Sequence, residues 1–110
     1  MSNIKEVHTL EEFEATISTG SKTVVFYHAT WCQPCRRMSP FVDKLKSTYG
    51  NTVTFLKVDV DSNQETATFA DVSEMPTFKF YRRSFEVDVL IGTNKEELHR
   101  KVERFAQTAK

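Results

Sequence analysis

A chain of 110 residues has room for one compact domain, and a composition that is 39% hydrophobic with nine Phe is sufficient for a core. Fifteen basic and fifteen acidic residues cancel to zero net charge, which argues against binding to nucleic-acid phosphates. Charged residues interrupt positions 1–20, unlike a signal peptide, and no apolar run is long enough to span a membrane. We therefore expect a single soluble, monomeric domain over residues 1–110, located in the cytoplasm, with neither nucleic-acid nor membrane partners.

Stretches with strand periodicity alternate with stretches of helical periodicity along the chain, which is typical of an α/β domain. The first half predicts, in order, a weak strand, a helix, a buried strand, a long helix and another strand: Ile4–Val7, residues 9–20, Thr23–His28, Cys35–Tyr49 and Val53–Val60. Thr9 and Glu12 form a capping box at the first helix, and Pro40 is expected to kink the second.

The second half of the chain predicts a short helix that ends near Ala70, two strands in a tight antiparallel hairpin, and a final helix. The capping pairs Ser62–Glu65 and Thr93–Glu96 predict where the two helices begin. The hairpin strands are Thr77–Tyr81 and Phe85–Ile91. The resulting order of elements is βαβαβαββα, without an internal repeat or a linker.

A pair of cysteines, Cys32 and Cys35, lies where the second predicted strand gives way to a helix. Unpaired N–H groups at a helix N-terminus favour an anion, so we expect Cys32 to have a lowered pKa and to be the nucleophile. Cys35 lies one turn further in and is the natural resolving thiol, which breaks a mixed disulfide. Pro34 is compatible with the first helical turn, where its missing N–H would have no partner.

Two other roles for the cysteine pair are less favoured. A structural zinc site needs four ligands, whereas the chain has two cysteines; His28 is near them, and His8 and His99 are remote in sequence. A structural disulfide across so short a loop would constrain the unfolded chain only slightly. Thiol redox chemistry is therefore favoured, and no metal is expected.

Further segments complete a pattern that resembles the thioredoxin family over nearly the whole chain. The sequence of these segments looks most similar to that of eukaryotic cytosolic members. The segments are VVFYHATWCQPC at 24–35, FLKVDVD at 55–61 and MPTFKFY at 75–81, with Gly92 before the last helix. The resemblance implies a thioredoxin fold, in which four helices flank a central mixed five-stranded sheet. It also implies a protein-disulfide reductase without a bound cofactor, whose targets include peroxiredoxins. The oxidised form of such a protein is reduced again by thioredoxin reductase, which uses NADPH.

The resemblance further implies a shallow groove for target peptides. Pro76 matches the family's cis-proline, which would hold the backbone of Met75 open for an extended peptide. The residues expected to bind substrate are Trp31, Gln33, Pro34, Met75, Pro76 and Gly92, and Val60, Ile91 and Thr93 occupy positions that line the groove in relatives. Val60 and Ile91 are equally well explained as core residues of strands, whereas a tryptophan beside a reactive thiol favours contact with partners.

Position 26 departs from the family pattern, because Phe26 stands where a buried aspartate usually helps the resolving cysteine to lose its proton. A phenyl ring cannot accept a proton, and apolar surroundings should raise the pKa of Cys35. Lys57, which matches the usual partner of that aspartate, is then expected either to reach Asp59 or to be more exposed. His28, on the same strand face as Phe26, could tune the thiols as a base or a cation, or pack as an aromatic filler.

These departures keep two alternatives open beside the reductase. One is a redox-sensing thioredoxin-fold binding module with little turnover; the other is a disulfide isomerase or oxidant, favoured if Cys32 is unusually acidic. Gln33 replaces the family's usual glycine, from which we expect at most a modest change in redox poise or partner choice. Ser84 replaces a common glycine in the hairpin, so that turn is expected to be looser or of another type.

Overall fold

Strands and helices follow one another in the predicted order, and their bounds differ from the predicted ones by a few residues. The computed structural model describes residues 4–108. Its elements are β1 (Lys5–Glu6), α1 (Leu10–Thr19), β2 (Thr23–His28), α2 (Gln33–Tyr49), β3 (Thr54–Asp59), α3 (Gln64–Phe69), β4 (Thr77–Arg82), β5 (Phe85–Ile91) and α4 (Lys95–Gln107). In this part of the chain, no helix is long and apolar enough to cross a bilayer.

The five strands form one sheet in the order β1-β3-β2-β4-β5. β3 pairs in parallel with β1 and β2, whereas β4 pairs antiparallel with β2 and β5. The predicted mixed five-stranded sheet with four helices is therefore confirmed. β2 lies at its centre and is buried at every position except its last, because both of its faces are covered. The segment that contains Cys32 follows directly after β2.

Two hydrophobic cores lie on opposite faces of the sheet, since alternate residues of a strand point to opposite sides. Val24 and Phe26 of β2 belong to the core that includes residues of α2 and α4, together with both cysteines. Val25 and Tyr27 belong to the other core, which includes residues of α1. Both cysteines are thus part of the first of these cores.

Two helices begin one residue later than the sequence patterns predicted. Asn63, not Ser62, caps α3, and its side-chain oxygen accepts the N–H of Thr66. Asn94, not Thr93, caps α4 in the same way. In each case an asparagine directly follows the predicted cap residue, and asparagine is at least as good a cap as serine or threonine.

Two other local predictions also change in detail. α2 begins at Gln33 with Cys32 as its N-cap, two residues before the predicted start, and continues through Pro40 to Tyr49. The hairpin connection is shorter than predicted, because β4 extends to Arg82 and leaves two residues before β5. Arg83 in this turn has a φ of 53°, the left-handed conformation that two-residue hairpin turns require. Thr9 caps α1 as predicted.

Candidate active site

Cys32 and Cys35 are joined by a disulfide at the N-terminus of α2, with their Cα atoms 5.3 Å apart. Cys32 is the N-cap residue, and its Sγ accepts the backbone N–H of Cys35 at 3.2 Å. Both side chains are buried, and Cys35 is the deeper of the two at 2% exposure against 4%. Once the disulfide is reduced, the free N–H groups of the helix start would stabilise a thiolate on Cys32.

The loop before the disulfide is fixed from two sides. Trp31 is 62% exposed, and its Nε1 donates a 2.7 Å hydrogen bond to the carboxylate of Asp61, just after β3. Arg36 of α2 donates from Nε and Nη2 to the carbonyl of Thr30. The large indole is therefore held at the surface beside the sulfur pair. Asp61 was not singled out from the sequence, although the carboxyl ends of the parallel strands β2 and β3 necessarily meet at one edge.

The Met75–Pro76 peptide bond is cis and directly precedes β4. Thr77 pairs with Tyr27 in the antiparallel register, which places Pro76 beside His28 at the end of β2. Gly92 donates its N–H to the carbonyl of Pro76 at 2.9 Å and has a φ of 114°, which glycine adopts readily. Met75 is partly buried and packs against the core that contains both cysteines. The segments around residues 32, 76 and 92 thus lie at one end of the sheet.

The other residues predicted for the groove differ in exposure. Gln33 and Thr93 are exposed, and Pro34 is half-buried. Ile91 is 54% exposed, which excludes the interpretation of this residue as part of the core. Val60 is half-buried against both cores, and its N–H donates to the carbonyl of His28. Val60 therefore keeps a structural role, whereas the Ile91 side chain is available at the surface.

A cleft of about 330 Å³ lies on the inner side of the redox pair. Its lining residues are Phe26, His28, Ala29, Thr30, Cys35, Arg36, Ser39 and Lys57. Phe26 is 3% exposed and stacks on Phe78, with ring centroids 4.9 Å apart and planes at 9°. The departure at position 26 thus gives this cleft an apolar wall beside Cys35, in place of a proton acceptor.

His28 lies in this cleft with 16% of its side chain exposed, and its ring centroid is 5.4 Å from that of Phe26. The Nε2 atom is buried 4.0 Å from Oε1 of Glu6 and has no hydrogen-bond partner within residues 4–108. Burial lowers the pKa of His28, and the positive charge of Lys57 adds to this effect, while the carboxylates of Glu6 and Asp59 oppose it. The imidazole is therefore neutral near pH 7. Glu6 was missed in the sequence because only the sheet register brings β1 to this face.

Lys57 and Asp59, the other two residues expected to tune the thiols, are not paired with each other. The Asp59 carboxylate accepts the backbone N–H groups of Asp61 and Ser62 at 2.9 and 3.2 Å. No hydrogen bond or ion pair joins it to Lys57 in the described part of the chain, and Lys57 instead lines the cleft, half-buried. Of the two expectations for Lys57, pairing with Asp59 is therefore wrong. No group of three or more potential metal-ligating side chains was found among residues 4–108.

Comparisons with known proteins agree with this geometry. The family model described as Thioredoxin matches residues 4–104. A thioredoxin from Gallus gallus is 43% identical over 97 residues, which cover 86% of this chain and 91% of the relative. The solved Plasmodium falciparum thioredoxin superimposes with a TM-score of 0.89 at 36% identity, over 93% of this chain and 99% of that one. A further solved structure matches with a TM-score of 0.88 at 32% identity, over 93% of this chain and 95% of that one. That structure concerns the thiol resolving mechanism in yeast mitochondrial 1-Cys peroxiredoxin via glutathione/thioredoxin systems.

The fold and the disulfide together define the class of protein, which is a thiol–disulfide oxidoreductase. Within that class the chain belongs to the thioredoxin family, because the family model and relatives more than 30% identical span most of its length. Its substrates are proteins that contain disulfides, and its chemistry belongs to the Cys32–Cys35 pair.

Proposed function

We propose that this protein reduces disulfides in other proteins, with Cys32 as the nucleophile and Cys35 as the resolving thiol. The observation that supports these roles is the asymmetry of the pair. The Cys32 sulfur receives an N–H from the start of α2, whereas Cys35 lies inside the first turn and is more deeply buried. A helix start stabilises a thiolate, and the thiolate is the attacking form of cysteine.

The reaction proceeds by two exchanges. In the first, the Cys32 thiolate attacks one sulfur of the target disulfide; a bond forms between Cys32 and that sulfur, the target S–S bond breaks, and the other target sulfur departs. In the second, the Cys35 thiolate attacks Sγ of Cys32, which closes the internal disulfide and releases the remaining target sulfur. The two departing sulfurs take up protons, so the target gains two electrons and two protons, and the protein is oxidised to its disulfide form.

Target peptides would bind across the surface formed by Trp31, Gln33, Pro34, Met75 and Gly92, beside the buried Pro76. The exposure of Trp31 and the half-buried position of Met75 support this choice. An extended peptide that pairs with the Met75 backbone through main-chain hydrogen bonds is recognised without strong sequence preference. Such binding suits a reductase that acts on many proteins.

The electrons are proposed to come from NADPH through thioredoxin reductase, and the protein would need no bound cofactor of its own. Peroxiredoxins are proposed among its targets, and the yeast structure that concerns a peroxiredoxin and the thioredoxin system supports this choice. The proposed compartment is the cytoplasm, where thiols are kept reduced and a cysteine pair of this kind is more often catalytic than structural.

The test is turnover of insulin disulfides, measured once with dithiothreitol and once with NADPH and thioredoxin reductase. Wild type is expected to precipitate the insulin chains faster than the reductant alone and to consume NADPH in the coupled assay. Cys32→Ser and Cys35→Ser form a matched pair of variants, and neither is expected to turn over, because each lacks one half of the exchange.

Each outcome decides a different part of the proposal. No rate above background for wild type in either assay would contradict the reductase function and favour the redox-sensing binding module. Activity with dithiothreitol but none with the reductase would contradict only the proposed source of electrons. Net oxidation of a reduced dithiol peptide under the same conditions would favour the oxidant.

A further inference from the structure

The cleft beside Cys35 contains a side chain that the two exchange steps do not yet use. Among its described lining residues, His28 is the one whose side chain ordinarily titrates near neutral pH. Lys57 and Arg36 contribute positive charge, and Ser39 and Thr30 contribute neutral polar groups. Because His28 and Cys35 line the same cleft, a neutral imidazole there can accept the thiol proton through water in that cleft.

The second exchange step is where a proton acceptor is needed. Cys35 must lose its proton before it can attack Sγ of Cys32, and a thiol near its ordinary pKa of about 8.5 is mostly protonated at neutral pH. Cys35 is 2% exposed, and Phe26 lines the same cleft with an apolar ring. Bulk solvent therefore has little direct access to this thiol, and its proton must leave through the cleft.

The carboxylate of Glu6 beside His28 fits this task. Its Nε2 atom is buried beside the carboxylate of Glu6 at 4.0 Å and lacks a hydrogen-bond partner within the described residues. The negative charge of Glu6 favours a proton on Nε2, which leaves Nδ1 as the nitrogen that can accept another. A base whose second nitrogen faces a carboxylate is a common arrangement for activating a nucleophile.

We propose that His28 is the proton acceptor for Cys35 in the resolving step, acting through water in the cleft, and that the charge of Glu6 favours the tautomer whose Nδ1 is free to accept. The Cys35 proton passes to His28 as the thiolate attacks Sγ of Cys32. The Cys32–Cys35 bond forms, the mixed disulfide breaks, and the departing target sulfur takes a proton from solvent or from the imidazolium. The inference rests on the proposed roles of the two cysteines.

The charges that face His28 come from three neighbouring elements. Glu6 lies on β1, where it pairs with Lys57 of β3. Asp59 of β3 pairs with His28, and Lys57 pairs with Phe26, two residues before His28. Arg36, on α2, lines the same cleft, with its guanidinium bonded to Thr30. Of these groups, Glu6 and Asp59 favour the protonated imidazole, and Lys57 disfavours it. These signs determine how each substitution moves the pH profile.

The proposal is tested by the rate at which a preformed mixed disulfide on Cys32 decays, measured by stopped flow as a function of pH. Wild type is expected to decay faster as pH rises through a titration below about 6.5, where the imidazole becomes neutral. His28→Gln should lose this titration and decay at least about tenfold more slowly at neutral pH. His99→Gln is the matched control, because His99 is exposed and is not among the residues that line the cleft; it should keep both the rate and the profile.

Two further measurements separate proton transfer from a structural effect. Glu6→Gln should move the titration to lower pH, because it removes a charge that favours imidazolium. Added imidazole should accelerate decay in His28→Ala, since the cleft of about 330 Å³ can admit it, and should leave His99→Gln unaffected.

The inference alone would be overturned by a His28→Gln variant with the wild-type rate and profile, or by a slow His28→Ala variant that imidazole does not accelerate. Absence of any mixed disulfide on Cys32 in the Cys35→Ser variant, which cannot resolve it, would instead overturn the proposed cysteine roles, and this inference with them.

Discussion

At the scale of single residues, Phe26 determines the character of the cleft beside Cys35, the proposed resolving cysteine. Its ring is buried and stacked on Phe78, so the residue contributes to the stability of the core as well as to the surroundings of Cys35. The family resemblance places an aspartate at this position. The substitution therefore exchanges a group that can take a proton for a group that packs.

We predict that Phe26→Asp speeds the decay of the mixed disulfide, because a carboxylate in this position adds a proton acceptor near Cys35. The same change should lower the free energy of unfolding by about 3 kcal/mol or more, since it removes a buried ring and buries a polar group. Single-turnover kinetics measure the first effect, and urea denaturation measures the second.

Phe26→Asn is the control for this prediction, because it loses the same packing without gaining a base. A decay for Phe26→Asp that is no faster than that for Phe26→Asn would contradict the idea that the missing carboxylate limits the resolving step.

The residues of the site divide into those that the sequence reveals and those that it does not. Cys32, Cys35 and Pro76 are recognisable because they belong to short local motifs, WCQPC at 31–35 and MPT at 75–77. Glu6 and Asp61 are not, because they reach the site from neighbouring strands. Their contacts depend on the register of β1 and β3, which a single sequence does not specify.

At the scale of elements, the two asparagine caps differ in what else they hold. Asn94 is exposed and accepts one N–H from the first turn of α4. Asn63 is 4% exposed; besides capping α3, it donates from Nδ2 to the carbonyl of Val7 at 3.1 Å. The second bond connects α3 to the segment after β1. Since this contact is between distant parts of the chain, local sequence patterns predicted the helix but placed its start one residue early.

We predict that Asn94→Ala lowers the free energy of unfolding by about 1 kcal/mol, the usual loss for an N-cap. Asn63→Ala should cost about 2 kcal/mol or more, because it also leaves the buried carbonyl of Val7 without its partner. Urea denaturation of the oxidised protein gives both values.

Ser62→Ala and Thr93→Ala are the controls, since the sequence patterns assigned the caps to these residues. Each should change the free energy of unfolding by less than about 0.5 kcal/mol, as exposed substitutions usually do. A loss at Ser62 or Thr93 that equals the loss at the neighbouring asparagine would contradict the observed capping.

At the scale of the whole molecule, buried titratable side chains limit the pH range over which the fold is most stable. Tyr27 and Tyr81 share a buried hydrogen bond, with their hydroxyl oxygens 2.8 Å apart. Burial raises the pKa of Tyr81 to about 12 and raises that of Tyr27 as well. At the acid end, burial lowers the pKa of His28.

We predict a maximum of stability between about pH 6.5 and pH 10, bounded by the ordinary pKa values of His and Tyr in the unfolded chain. Above this range the unfolded tyrosines lose protons that the folded ones retain, so stability falls by an amount on the order of 2 kcal/mol for Tyr81. Below it the unfolded chain binds a proton at His28 before the folded protein does, so stability falls again.

The measurement is urea denaturation of the oxidised protein at pH values that extend below about 6.5 and above about 10. Tyr81→Phe should show a shallower alkaline decline, and His28→Gln a shallower acid decline. A wild-type stability that does not fall above pH 10 would contradict the assignment of the alkaline decline to the two tyrosines.

The central claim is that Cys32 attacks the target disulfide and Cys35 resolves the mixed disulfide. Trapping the mixed disulfide tests this claim most directly. Reduced Cys35→Ser and reduced Cys32→Ser are each mixed with a disulfide peptide, and the adduct is located by mass spectrometry of the digested protein. We predict a stoichiometric and rapid adduct on Cys32 in the first variant, and a much slower adduct, or none, on Cys35 in the second. Faster capture of the peptide by Cys35 would contradict the proposed roles.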